Sequence, residues 1–261
     1  MHIAACIVAY FPDRSLLRKN IEALRNSVAH IYIWWNSPVQ SLSDLDMSNI
    51  SYLGDGNNVL IAAALNACLL QSKEDGFDYL LTMDQDSVFE SALRFVELAR
   101  KYLADNIIAY TPNINGKLKP KGAKECIHID YAFTSGSLCK VDSCIAIGGF
   151  REDYGIDWVD AEFNHRAQLN GYKLVCFPEC NLSHHLGGSY GPFRYYHIFR
   201  NMIWMHREYP ENPSLETVLY TAKFYLRALL KSKHIFRNLS AALCGFAYGI
   251  FHMPRKKLIT E

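Results

Sequence analysis

LLTMDQDSVF, residues 80–89, is an apolar run that ends abruptly on two carboxylates, those of Asp84 and Asp86. In an extended strand alternate side chains share a face, so the two carboxylates flanking Gln85 can point in the same direction. Two anions this close repel each other unless a proton or a cation holds them, and hard oxygen ligands suit Mg²⁺ or Mn²⁺. The motif therefore predicts a divalent-cation site, and the alternative is a strand that ends in a solvated turn.

The segments before this motif predict a parallel α/β sheet. Buried strands and helices alternate along the chain: a strand at 3–10, a helix at 16–28, a strand at 31–35 and a helix at 59–72. A strand–helix–strand opening favours parallel pairing, and open parallel sheets bind ligands at the carboxyl ends of their strands. Asp84 and Asp86 are therefore expected at the ligand-binding edge. After them the pattern predicts a helix at 91–103, a strand at 107–112, a polar loop at 112–126 and a more mixed sheet from 128–141 and 172–177.

The composition is that of an ordinary globular protein, with 261 residues of which half are hydrophobic and a fifth charged. The N-terminal apolar run lacks the basic region and cleavage site of a signal peptide, so we expect a cytoplasmic protein with reduced cysteines. Residues 1–222 hold 19 basic and 25 acidic residues, whereas eight Lys/Arg and one acid follow. The acidic body argues against nucleic-acid binding, and the basic tail predicts peripheral contact with an anionic membrane.

The chain is expected to divide into a large domain at 1–209 and a basic amphipathic helical tail at 210–261. An apolar stripe follows helical spacing from residue 215 to residue 230. The apolar run at 239–251 has only thirteen residues, and about 20 are needed to span a bilayer. These features predict an interfacial anchor, and the alternative is a helix that packs on the domain at 1–209.

Two further groups of residues suggest chemistry. Asp157, Asp160 and Glu162 lie where a helix begins, so one of them could act as a general base; the alternative is helix capping. His184 precedes flexible glycines and could complete a metal site, although a lone histidine is more often structural. The chain has neither the GxGxxG of a dinucleotide-binding protein nor the GK[ST] of a P-loop, so a metal would have to handle phosphate.

The order of these motifs resembles the GT-A glycosyltransferases of family two, most closely the bacterial rhamnosyltransferase-like members, which often read DQDS. The shared elements are Pro-Asp after the first strand, Asn-Ser after the second, an N-x-x-I-A-x-A-x-N helix at 58–66, DQD, the TSGS loop at 134–137, an acidic-to-Arg helix and a late histidine. The resemblance covers about residues 3–207. It implies the GT-A (nucleotide-diphospho-sugar transferase) fold, an α/β fold with a mostly parallel central sheet, plus C-terminal helices.

Carried over position by position, the resemblance assigns three groups of site residues. The nucleotide is expected against Ala9, Tyr10, Asn36, Asn58 and Asp84. The Mg²⁺ or Mn²⁺ ion is expected between Asp84, Asp86 and His184. Asp160 is expected to be the catalytic base, with Asp157 sharing its work, because the family's Glu-Asp pair reads Val159-Asp160 here. The acceptor or the diphosphate is expected beside Trp158, Arg166 and Arg200.

Two positions depart from the family pattern. Trp35 replaces the aspartate that usually ends the second strand, and a Trp could stack on a base but cannot accept its N–H. Leu60 replaces the glycine of NxGIA, which predicts that close approach of the backbone to the nucleotide is lost.

The resemblance implies an inverting transferase that moves a sugar from a dTDP- or UDP-sugar donor, with dTDP-rhamnose the first candidate. The acceptor would be a saccharide or lipid-linked saccharide in cell-surface polysaccharide synthesis, met at the inner face of the membrane. Two alternatives stay open. DQDSV also fits the DxDx[TV] motif of haloacid-dehalogenase-type phosphatases, and the departures at Trp35, Leu60 and Val159 would suit a non-catalytic nucleotide-sugar binding module.

Overall fold

The computed structural model describes residues 1–40, 48–119, 122, 124–184, 190–211 and 215–259. Within these ranges the strands are β1 (Ile3–Ala9), β2 (His30–Trp35), β3 (Ile50–Leu53), β4 (Tyr79–Asp84), β5 (Val88–Phe89), β6 (Ile107–Ile114), β7 (Ile127–Ile129), β8 (Ser137–Lys140) and β9 (Lys173–Ser183). The helices are α1 (Arg14–Leu24), α2 (Leu60–Glu74), α3 (Ala92–Lys101), α4 (Val141–Ala146), α5 (Val159–Leu169), α6 (Pro192–Glu208), α7 (Leu215–Leu230) and α8 (Ile235–Phe251).

The described strands form one sheet in the order β3-β2-β1-β4-β8-β6-β9-β5, with β7 paired to β9. The first four strands of this order are parallel, as the strand–helix–strand opening predicts. Strand β8 runs antiparallel between β4 and β6, and β9 is parallel to β6. The predicted α/β class with a mostly parallel sheet is confirmed. The short strands β3 and β5 were not predicted from the sequence.

Strand β1 is apolar throughout because both faces of the sheet are covered. Ala5 and Ile7 lie in the cluster that packs against α1 and α3, whereas Ala4 and Cys6 lie in the cluster that packs against α2, α4 and α5. The register then fixes the functional edge, since Val8 lies beside Asp84 and Ala9 lies beside Trp35. The carboxyl ends of β1, β2 and β4 therefore meet at one edge of the sheet.

The predicted tail is packed on the rest of the protein. A Cβ at Gly245 would overlap the carbonyl oxygen of Tyr196, and one at Gly249 would lie 2.9 Å from that of Arg200, so α8 meets the backbone of α6 directly. Helix α7 contributes Val218 and Leu229 to the cluster on α6.

The segment after α8 also returns to the α/β part of the chain. The Glu152 N–H donates to the Lys257 carbonyl at 3.1 Å, and the Ile259 N–H donates to the Gly148 carbonyl at 2.9 Å. The domain boundary was expected at residue 209. Helices α7 and α8 and the segment after α8, which all follow that residue, pack on the part of the chain that precedes it. Among the described helices, none combines the length and the hydropathy needed to cross a membrane.

Candidate active site

Gln85, between the two aspartates, fastens β4 to β1. Its Oε1 accepts from the Tyr10 N–H at 2.6 Å, and its Nε2 donates to the Tyr10 carbonyl at 3.2 Å. The Asp84 carbonyl accepts from the side chain of Asn20 in α1 at 2.8 Å. The Gln85 side chain is therefore engaged with the end of β1, while the side chains of Asp84 and Asp86 on either side of it line the cavity described below.

Asp84, Asp86 and His184 converge at the end of β4, with ligand atoms that all lie within 4.8 Å of one another. His184 Nε2 lies 3.8 Å from Asp84 Oδ2, and His184 Nδ1 lies 4.0 Å from Asp86 Oδ1. The structure therefore brings together the three residues that the sequence predicted as metal ligands.

Neighbouring side chains orient His184. Ser87 Oγ lies 2.7 Å from His184 Nδ1, and Ser135 Oγ donates to Ser87 Oγ at 2.7 Å. The Asn115 side chain donates to the His184 carbonyl at 2.8 Å and accepts from its N–H at 3.0 Å. Metal-binding histidines are commonly fixed by partners of this kind on the ring nitrogen that does not bind the metal.

The electrostatics of this cluster suit a cation. Desolvation by the cavity walls, followed by the charges of Asp86 and Asp160, raises the pKa of Asp84 to about 7. Two carboxylates and an imidazole form a donor set that fits Mn²⁺ or Mg²⁺, and a divalent ion would relieve the repulsion that raises this pKa.

The predicted base lies at the start of α5, after a strained turn. Asp157 and Trp158 both have a positive φ, 55° and 64°. Residues other than glycine adopt this backbone conformation rarely, and such strained residues cluster at functional sites. Asp160 follows in the first turn of α5, where its Oδ1 accepts from the Ala161 N–H at 2.9 Å and its Oδ2 accepts from the Tyr131 hydroxyl. Burial raises the pKa of Asp160.

Helix α6 holds this turn in place. The fully buried Asn201 side chain donates to the carbonyls of Tyr154, Ile156 and Asp157 at 2.8–2.9 Å. Arg200 donates to the carbonyls of Asp153 and Tyr154 at 2.8 and 3.0 Å. The structure places Arg200, which was expected beside the acceptor or the diphosphate, away from the cavity lining: its side chain is buried and holds the backbone that leads to Asp157.

Arg166 is also placed differently from the expectation. Its guanidinium is buried, donates to the carbonyls of Ile147 and Gly149, and pairs with Glu162 at 2.9 Å. Arg166 and Glu162 therefore stabilise the packing of α5, and neither lines the cavity.

Arg194 in α6 supplies positive charge to the cavity instead. It forms a two-point ion pair with Asp157, with distances of 2.5 and 3.2 Å, and its guanidinium lies 4.7 Å from the centre of the Tyr190 ring. Both oxygens of Asp157 accept from the cationic Arg194, whereas the partners of Asp160 are neutral, so Asp157 is less well placed than Asp160 to take a proton. Arg194, which directly precedes Tyr195 and Tyr196 on α6, was not among the site residues predicted from the sequence.

A cavity of about 750 Å³ joins these groups. Six of the predicted site residues line it: Asp84, Asp86, Asp157, Trp158, Asp160 and His184. It is also lined by residues that the sequence did not single out, among them Lys117, Tyr131, Tyr190, Arg194, Phe224 and Tyr225. Metal ligands and the candidate base therefore face one space.

The residues expected to bind the nucleotide lie at the same sheet edge but differ in what they can offer. Tyr10 and Asn58 are exposed, and Ala9 is buried beneath them. Asn36 is only 4% exposed, and its side chain accepts from the Val59 N–H and donates to the Leu60 carbonyl, both at 3.2 Å. Asn36, which was expected to contact the nucleotide, therefore has its amide engaged with the start of α2.

The two departures from the family pattern have clear structural outcomes. Trp35 is 0% exposed and meets the Tyr52 ring edge-on at 5.8 Å, so it belongs to the core and cannot stack on a base. Leu60 has a φ of 66°, so this position keeps the left-handed backbone that favours glycine although it carries a side chain. The start of α2 therefore has a backbone conformation that glycine adopts easily, at the cost of local strain for Leu60.

No family model matches the chain. Among curated proteins it is similar to the dTDP-rhamnosyl transferase RfbF of Shigella flexneri, with 24% identity in an alignment that covers 79% of this chain and 80% of that protein.

Solved structures share its fold. The chain is similar to GalNAc-T7 with UDP, GalNAc and Mn²⁺, with a TM-score of 0.65, 11% identity, and coverage of 96% of this chain but 56% of that chain. It is similar to the mannosyltransferase PcManGT of Pyrobaculum calidifontis with GDP-Man and Mn²⁺, with a TM-score of 0.58, 11% identity, and coverage of 96% and 76%. It is also similar to S. aureus TarS 1-349 in complex with UDP-GlcNAc, with a TM-score of 0.58, 11% identity, and coverage of 95% of this chain and 90% of that chain. These similarities confirm the GT-A fold and the rhamnosyltransferase-like resemblance predicted from the sequence.

Proposed function

We propose that this chain, which has the GT-A fold, is an inverting, metal-dependent glycosyltransferase that uses a nucleotide-diphosphate sugar. The observation that carries the proposal is the single cavity in which Asp84, Asp86 and His184 face Asp160. A nucleotide-sugar transferase needs positive charge for the leaving diphosphate and a base for the acceptor hydroxyl. The described arrangement provides a site for each.

The proposed donor is dTDP-rhamnose, with UDP-sugars as second candidates. The relative at 24% identity is a dTDP-rhamnosyl transferase, which supports this choice. Tyr10 and Asn58, exposed at the edge formed by β1 and β2, are the proposed contacts of the nucleoside, with Asp84 near its ribose and diphosphate. The proposed acceptor is a saccharide, free or lipid-linked, in the synthesis of a cell-surface polysaccharide.

In the proposed reaction Asp160 takes the proton of an acceptor hydroxyl. The acceptor oxygen bonds to the anomeric carbon as the bond from that carbon to the diphosphate oxygen breaks on the opposite face, which inverts the configuration. Tyr131 holds the Asp160 carboxylate, and Arg194 and Lys117 add positive charge to the cavity in which the diphosphate leaves. A Mg²⁺ or Mn²⁺ ion held by Asp84, Asp86 and His184 would supply further charge that stabilises the diphosphate.

The fold weakens the phosphatase alternative. In phosphatases with the DxDx[TV] motif the aspartates follow the first strand of the sheet, whereas Asp84 ends the fourth strand along this chain and the fold is that of GT-A proteins. The non-catalytic alternative is not supported by Trp35, which is buried, or by Leu60, which keeps the backbone conformation.

A nucleotide-sugar panel tests the proposal. dTDP-rhamnose with Mn²⁺ or Mg²⁺ should raise the melting temperature more than UDP- or GDP-sugars do, because a ligand at about 100 times its Kd adds about 2.7 kcal/mol to the free energy of unfolding. Incubation with saccharide acceptors should release dTDP. Release of phosphate from p-nitrophenyl phosphate would favour the phosphatase alternative, and binding of the donor without turnover on any acceptor would favour the binding module.

We further propose that α7 and α8 rest on an anionic membrane at the inner face of the cell. Their outward faces expose large apolar side chains: Leu215, Leu219, Tyr220, Leu226, Leu230, Phe236, Leu243, Phe246, Ile250 and Phe251. Basic residues are exposed on the same two helices and in the segments that follow them, among them Lys231 and Lys233. Apolar and basic groups on one pair of helices are typical of interfacial helices, and the charge complements anionic lipid.

Charge reversal tests the membrane proposal. Each basic residue near an anionic surface contributes about 1 kcal/mol, so Lys231→Glu with Lys233→Glu should lower binding to phosphatidylglycerol-containing vesicles at least about tenfold in co-sedimentation. The control is Lys19→Glu with Lys124→Glu, which makes the same change in net charge at exposed positions far along the chain from the tail and should have little effect. Equal loss in both double variants, or no binding of the unaltered protein, would contradict the proposal.

A further inference from the structure

Helix α7 forms part of the cavity wall, although the sequence placed it in a separate tail. Phe224 and Tyr225 line the cavity together with Asp157 and Asp160. The helix is seated on α6 through Val218 and Leu229, so these two aromatic side chains are presented by an anchored element.

The aromatic wall continues from α7 to the loop that precedes α5. The Tyr225 ring meets the Tyr190 ring edge-on, with centroids 5.8 Å apart. Tyr190 in turn lies under the Arg194 guanidinium, which is paired to Asp157. These contacts therefore connect α7 to Asp157, which lies three residues before the candidate base Asp160.

The Tyr225 hydroxyl interacts electrostatically with Asp157 and Asp160 at the start of α5. Its pKa is raised, first by burial and then by the Tyr190 hydroxyl and by Asp157, while Arg194 opposes the shift and Asp160 adds to it. Tyr225 also contributes to the raised pKa of Tyr131, the partner of Asp160. The α7 side of the cavity is thus the side of the base.

We propose that Phe224 and Tyr225, with Tyr190, form the acceptor subsite, where the pyranose ring of an acceptor saccharide stacks and directs a hydroxyl to Asp160; this rests on the proposed function. A pyranose has an apolar C–H face and a rim of hydroxyls. The face of an aromatic ring has a partial negative charge, which attracts the polarised C–H groups of the sugar. The nearby carboxylates and Arg194 can form hydrogen bonds with the hydroxyls. In an inverting transfer the acceptor enters on the face opposite the diphosphate, which is the side of the base.

The experiment measures saccharide and nucleotide binding separately. Methyl α-L-rhamnoside, methyl β-D-galactoside and methyl N-acetyl-β-D-glucosaminide are titrated with dTDP and Mg²⁺ present, using saturation-transfer NMR, and dTDP affinity is measured by calorimetry. The variants are Phe224→Ala, Tyr225→Ala and Tyr225→Phe. The matched control is Tyr220→Ala, because Tyr220 is on the same helix and 74% exposed.

Loss of one stacking ring should weaken glycoside binding about tenfold in Phe224→Ala and Tyr225→Ala while dTDP affinity stays unchanged. Tyr225→Phe keeps the ring and the packing and should retain most of the affinity, which separates stacking from a folding defect. Unchanged glycoside affinity in both alanine variants, equal loss in Tyr220→Ala, or absence of glycoside binding by a protein that binds dTDP would overturn the acceptor subsite alone. Failure of the unaltered protein to bind dTDP, UDP or GDP would overturn the proposed function and the subsite with it.

Discussion

Asp160→Asn should lower the turnover number of sugar transfer about 10²–10⁴-fold while donor affinity stays unchanged, because an amide cannot accept the proton of the acceptor hydroxyl. The substitution preserves size, and the oxygen of the new amide could still accept from the Tyr131 hydroxyl that bonds to Asp160 Oδ2. Steady-state kinetics with a saturating donor, together with calorimetric donor titration, separate the two quantities.

The matched comparison is Asp157→Asn, which should reduce turnover less because Asp157 is already occupied by Arg194. If Asp157→Asn proved more damaging, the base would be Asp157 and the assignment from the family pattern would be displaced by three residues.

The same carboxylate sets the acid side of the pH profile. Burial raises the pKa of Asp160, so the charged, proton-accepting form is lost as the pH falls through a value above that of an ordinary aspartate. We expect kcat to fall on the acidic side in the unaltered enzyme. The residual activity of Asp160→Asn should lack that limb.

Asp86→Ala should abolish Mn²⁺-dependent donor binding, with a loss of more than about 100-fold, since removing a direct ligand should cost more than removing a residue that merely orients one. His184 would keep its orientation from Ser87, and Asp84 alone would remain as a carboxylate ligand. Calorimetric titration of Mn²⁺ and of donor, each with the other present, provides the measurement.

Folding of Asp86→Ala should survive, because the Asp86 side chain is 37% exposed. Asp142→Ala, which removes a carboxylate that is 80% exposed on α4, is the control for the loss of one negative charge. A variant at Asp86 that bound Mn²⁺ and donor as tightly as this control would remove Asp86 from the metal site.

Residues whose roles follow from local pattern were predictable, and residues whose roles depend on tertiary contacts were not. The apolar run of β1 and the DQD at the end of β4 identified the parallel sheet and its functional edge. Trp35 could be placed only once β3 and Tyr52 were known to cover it. Arg200 and Arg194 lie six residues apart on α6, and the sequence alone does not tell which of them turns toward the cavity.

The part played by α7 was also beyond sequence reasoning. Its apolar stripe was predicted, but burial is concentrated on Val218 and Leu229, while Leu215, Leu219, Leu226 and Leu230 remain exposed. Helical spacing identifies an apolar face without identifying what covers it. Of the two aromatic residues of α7 that line the cavity, Tyr225 lies on the buried face, seven residues after Val218, whereas Phe224 is 56% exposed.

The glycine contacts of α8 have a mechanical consequence. Side chains between two helices normally act as compliant spacers that absorb small displacements by changing rotamer. At Gly245 and Gly249 there is no such spacer, because α8 rests on the backbone carbonyls of Tyr196 and Arg200. The residue after Arg200 is Asn201, whose side-chain amide donates a hydrogen bond to the Asp157 carbonyl. A displacement of α8 is therefore expected to pass through α6 to the turn that carries Asp157 and precedes Asp160.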